Sequence, residues 1–132
     1  RKTDPVSIAD KPFLSALPQR LLAHPRGGAL AVIGHVERIW TLSYVSAGLP
    51  SPLIPFRNFF GRAMSGEPIG HAMTDFNQRH AVLASELLTE LDKTQPASKS
   101  KTEDLAWKWI ECVDARNYIV LGDPAACIRV NN

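Results

Sequence analysis

The sequence predicts an α/β fold in which a mostly parallel sheet carries helices on both faces, and three observations predict it. Residues 29–33 form an uninterrupted apolar run that ends in Gly34 and is followed at once by His35, Glu37, Arg38 and Trp40. Residues 118–121 form a second short apolar run, preceded by Asn117 in a strand over 117–121 and closed by Gly122, Asp123 and Pro124. Between the two runs lie segments with helical spacing. A strand apolar on both faces suits the middle of a parallel sheet, where helices cover each side. In such sheets ligands bind beyond the carboxyl ends of strands, so a recognition site is expected beside residues 35–44.

The elements follow in order. Residues 18–24 read as a short helix with Leu17, Leu21 and Leu22 on one side, ended by Pro25, Gly27 and Gly28. The first strand follows, and after Trp40 the stretch 46–52 is rich in Ser, Gly and Pro and reads as a surface loop. Residues 55–64 read as a second helix that buries Phe56, Phe59 and Phe60. Gly66, Glu67 and Pro68 separate it from a longer helix over 69–92. In that longer segment Ile69, Met73, Phe76, His80, Leu83, Leu87 and Leu91 recur at steps of three and four, which puts His80 on the apolar face. No second ligand stands at a metal-binding offset there, so His80 reads as a core or boundary residue. Residues 93–101 are a polar linker containing Pro96, and Ser100 with Glu103 forms a capping box for a helix carrying Leu105, Trp109, Ile110, Cys112 and Val113. Residues 127–130 read as a short edge strand.

Composition bounds the function. The 132 residues, 45% hydrophobic and 21% charged, suit one domain or part of one, with 93–101 as an internal linker. Fifteen basic and 13 acidic residues are interspersed, so no strong footprint for nucleic acid or a membrane surface is expected. No apolar run reaches the roughly 20 residues that cross a bilayer, and the opening residues lack the apolar stretch of a signal peptide. Cys112 and Cys127 stand far apart with no metal-ligand spacing, which suits a reduced pair in a cytoplasmic protein and no metal site. The lone Gly27-Gly28 precedes a strand, not a helix, so it is no phosphate cradle, and no cofactor is expected. Ser43 and Ser46 lack the elbow motif of a serine hydrolase.

Two or three strands make a small sheet where about five or six are usual. The rest of the sheet is expected from sequence outside this chain, and an opening Arg in place of Met suits a processed subunit or a trimmed piece.

The string Gly-Gly-Ala-Leu-Ala-Val-Ile-Gly at 27–34 with Trp40 downstream, the Gly66-Glu67-Pro68-Ile69-Gly70 segment, and the closing run from Tyr118 to Ala125 with Arg129 together carry a resemblance. Over residues 12–130 the chain resembles the C-terminal half of the gingipain-like cysteine peptidases, within the caspase-like group that includes the CHAT domains. The resemblance implies part of a caspase-like (caspase–hemoglobinase) mostly parallel sheet. It also implies that the catalytic His and Cys lie upstream, so that this chain holds no catalytic residue. Trp40 takes the place of a tryptophan that helps to wall the primary specificity pocket, where an indole packs along the stem of a substrate side chain. The alternative for Trp40 is a plug at the strand's end.

His35 and Glu37, two apart on an extended segment, face one side, an arrangement in which a carboxylate can orient an imidazole. No nucleophile pairs with them. They are expected to shape the pocket with Trp40 and Tyr44, or to bond with the missing part. The expected function is therefore the substrate-pocket wall of a cysteine endopeptidase-like domain. Its partners would be a peptide or protein substrate and a missing N-terminal half or partner subunit. The alternative is a non-catalytic caspase-like interaction or signalling module.

Overall fold

A computed structural model describes residues 10–37, 39, 53–93 and 99–129. Five helices and two strands are described. They are α1 (Ala16–Leu22), β1 (Ala31–His35), α2 (Ile54–Met64), α3 (Ile69–Ala72), α4 (Thr74–Lys93), α5 (Lys99–Arg116) and β2 (Tyr118–Gly122).

The two apolar runs do form strands and do share a sheet, but the sheet is two-stranded and antiparallel, with Ala31 opposite Gly122 and His35 opposite Tyr118. This corrects the mostly parallel, caspase-like sheet with helices on both faces. The reason lies at the end of α5. Asn117 alone separates α5 from β2, and the Val36 amide donates to the Asn117 carbonyl at 2.9 Å. The chain thus enters β2 beside the carboxyl end of β1 and can only run back along it. An apolar run encodes burial, but the direction of its partner is set by where the preceding helix delivers the chain.

Side chains of Ala31, Ile33 and His35 share a face with Tyr118 and Val120, since the strand period is two. On this face lies the core: Phe59, Ala63, Ala72, Met73, Phe76 and Tyr118 are buried together, with Phe56, Ile69 and Val120 packed against them. Rings of Phe56 and Phe76 meet edge to face at 5.0 Å, and Phe76 meets Tyr118 at 4.8 Å. Of the aromatic stripe on α2, Phe59 is buried and Phe56 half-buried, whereas Phe60 is exposed.

The expected helix over 69–92 is broken. Met73 separates α3 from α4, and the Phe76 amide bonds back to the Met73 carbonyl at 3.1 Å, a tightened i to i+3 turn. The break docks α3 on the turn after β2: the Ile69 and Gly70 amides donate to the carbonyls of Ala126 and Pro124 at 2.9 and 2.7 Å. A Cβ on Gly70 would stand 3.0 Å from Pro124, so the glycine permits the approach. Gly122, at φ +106°, turns the chain out of β2 where a Cβ would collide with the Leu30 carbonyl oxygen.

Helix α5 begins at Lys99, ahead of the Ser100 expected as its cap, and residues 94–98 of the expected linker lie outside the described residues. Arg79 and Glu111, 3.2 Å apart, tie α4 to α5. Residues 127–129 are not a strand, and Val130 lies outside the described residues. On α1 no residue is buried, and Leu17 and Leu21 are exposed. Among the described residues no helix is long and apolar enough to cross a membrane.

Candidate functional site

His35 ends β1 with its ring turned into the core face. Its side chain is 3% exposed and that of Asp114, in the last turn of α5, is 1% exposed. Ring nitrogen Nε2 lies 3.1 Å from the Asp114 carbonyl oxygen and 3.4 Å from its Oδ1, while Nδ1 lies 2.7 Å from the Glu37 carbonyl oxygen. A carbonyl oxygen only accepts, so a ring nitrogen that carries a proton donates to the carbonyl it faces. The ring also meets Tyr118 edge to face at 4.8 Å.

The pairing of His35 with Glu37 therefore runs through the Glu37 backbone, and the carboxylate beside the ring belongs to Asp114. Glu37 itself is exposed. His35 and Glu37 are the candidates the structure describes, and it brings them together; Trp40 and Tyr44 lie outside the described residues. Asp114 was not singled out by its sequence. It stands 79 residues from His35, and its one local signal is a carboxylate placed where α5 turns its apolar side inward, between Val113 and Ala115.

Beside this cluster a cleft of about 550 Å³ opens along β1. Leu30, Ala31 and Ile33 line one side, the three phenylalanines of α2 the other, with Ile69, Phe76 and residues 126–128 completing it. Phe56 joins cleft and cluster, since its ring meets Tyr118 at 5.4 Å. Among the described residues no side chain lining the cleft carries a formal charge. Leu30 is 65% and Ile33 37% exposed, unlike a strand covered on each side.

The backbone at the same place is also open. The Asp123 amide donates to the Leu30 carbonyl and the Val36 amide to Asn117, so the even-numbered residues of β1 point their polar groups at β2. Ala31, Ile33 and His35 then present N–H and C=O groups to the opposite edge, and among the described residues no strand pairs there.

The nucleophiles are poorly placed. Cys112 is buried, and that burial pushes its thiol up, an effect that Arg116 opposes and Glu111 reinforces. Cys127 is exposed at the cleft, with its Sγ 3.5 Å from the Ala125 carbonyl oxygen. Neither cysteine has a hydrogen-bonded or ion-paired base among the described residues. No group of three or more His, Cys, Asp or Glu that could hold a metal occurs among the described residues.

No protein-family model, curated protein or solved structure matches the chain.

Proposed function

We propose that this chain is the non-catalytic part of a cysteine endopeptidase-like unit, supplying a wall of the substrate pocket while the His and Cys of the dyad come from upstream sequence. The antiparallel pair gives no support from fold, so the reading rests on the site. Its main support is the apolar cleft lined by Leu30, Ala31 and Ile33, on a strand whose other edge has no strand partner among the described residues. An edge at which no strand pairs among the described residues, beside an apolar cleft, is suited to receive another extended segment, whose alternate side chains enter the cleft. The unit that completes the sheet would supply that segment. It would bring the dyad to the carboxyl end of β1, where the chain turns outward at Val36 and Glu37. The chemistry of the thiols agrees with this division of labour. A nucleophilic thiolate needs a nearby base and an electropositive setting, which the buried Cys112 lacks.

The test uses the gene product that contains this chain and a peptide carrying both a thiol-directed chloromethyl ketone and a photoreactive side chain. The reading expects alkylation of a cysteine outside residues 1–132 and photo-crosslinks within 35–44. Trp40→Ala should then lower kcat/KM while the protein stays folded. Alkylation of Cys112 or Cys127 as the catalytic thiol, or crosslinks confined to other elements, would overturn it.

A further inference from the structure

We infer that Asp114, acting through the ring of His35, is a positioning residue for the turn at Val36 and Glu37. The inference rests on the wall reading above, because this turn is where the proposed wall leaves the sheet. Asp114 is the largest side chain that is fully buried among the described residues, and it is a carboxylate. A charge taken from water costs several kcal/mol unless it is met by donors, so this position demands a partner. The His35 ring lies against it, and the other nitrogen of that ring holds the Glu37 carbonyl at 2.7 Å. A flat ring held at both nitrogens keeps one orientation, so the location of Asp114 on α5 is passed across the sheet to the backbone of Glu37. Two further bonds close the frame. The Asn117 amide donates to the Asp114 carbonyl at 3.1 Å, and the Val36 amide donates to the Asn117 carbonyl at 2.9 Å. Every contact in this circuit joins the end of α5 to the exit from β1, and none touches the cleft directly. Asp114 therefore acts through another residue.

The ladder supplies its own control. The Val36 amide sits at the end beside His35, and the Asp123 amide, bonded to Leu30 at 2.8 Å, sits at the other. Amide exchange is measured at both in variants of this chain. His35→Gln keeps a donor toward Asp114 and offers none to Glu37, whereas His35→Asn keeps the donor nearer the backbone. Asp114→Leu removes the carboxylate and keeps the branching in a larger side chain, and Asp114→Asn retains an acceptor at similar volume.

Exchange at Val36 relative to Asp123 should rise about tenfold in His35→Gln and in Asp114→Leu. In Asp114→Asn it should stay within about threefold of the parent, whereas His35→Asn, which loses the contact with Asp114, should rise with the severe changes, and the two severe changes combined should add little beyond either alone. Equal acceleration at both ends of the ladder, or full additivity, would overturn the inference, leaving the pair as core filling only. Should the severe variants fail to fold, a through-hydrogen-bond coupling between the His35 Nδ1–H and the Glu37 carbonyl is sought in the unsubstituted chain, and its absence overturns the inference. In the gene product that contains the chain, the same variants should raise KM for peptide substrates with kcat little changed. A local change in exchange without any change in KM would remove the wall reading and leave the positioning standing.

Discussion

The two thiols of this chain should behave as opposites, because one is in the core and the other in water. Cys127 is exposed and Cys112 is 8% exposed. A disulfide-exchange reagent should titrate one thiol quickly in the folded chain and the second only as denaturant opens the structure. Two fast thiols would mean that α5 does not pack as described. Cys112 also has a pH signature. Burial raises the folded thiol above its unfolded value, so between the two values the folded state holds a proton that the unfolded state has lost. Stability contributed by the neutral thiol is fully present below the ordinary thiol range and falls as pH rises through and beyond it. In Cys112→Ala this alkaline decline should be smaller when urea midpoints are compared across that range. His35 shows how far single residues could be read. Its position at the strand end marked it out, yet its carboxylate partner lies 79 residues away, and no local spacing carries a contact of that kind.

At the scale of elements, helices were legible because each has its own spacing and its own stop signals. Helix α2 begins within one residue of the expected start and ends at Met64. The break at Met73 was not legible, since the apolar spacing continues straight through it and the docking of Gly70 against Pro124 that accompanies it is a tertiary contact. The two apolar runs were legible as strands, whereas the edge strand expected at 127–130 is no strand over 127–129, and the antiparallel pairing depends on α5 delivering Tyr118 beside His35, a tertiary fact. The burial pattern ranks the elements by cost. Phe76→Ala, in the core between α2, α4 and β2, should cost about 3 to 5 kcal/mol. Ile33→Ala, on the open strand, should cost roughly 1 kcal/mol, because much of its side chain already meets water. Gly122→Ala should cost about 1 to 3 kcal/mol, since φ there is +106° and the added methyl meets the Leu30 carbonyl. Chemical denaturation of the three variants checks the order, and an Ile33 cost equal to that of Phe76 would mean that β1 is covered after all.

For the whole molecule the decisive property is apolar surface left in water. Leu30 and Phe60 border the cleft, and Phe13, Leu14 and Leu17 lie at and before α1, all exposed. Exposed strand edges and contiguous apolar patches favour self-association. Isolated, the chain should elute with an apparent mass that rises with concentration, and it should hydrolyse no peptide. The two apolar regions can be told apart, because a lysine on an edge strand opposes pairing through its desolvation, whereas on a helix it only reduces stickiness. If association runs through the edge of β1, Ile33→Lys should return the chain to a monomer by light scattering, while Leu17→Lys should leave the oligomer in place. The reverse result would assign the contact to α1 and deprive the β1 edge of the role that the proposed function gives it. A monomer at every concentration in the unsubstituted chain would go further, since an edge that stays free in water at high concentration has no measurable tendency to take up another strand.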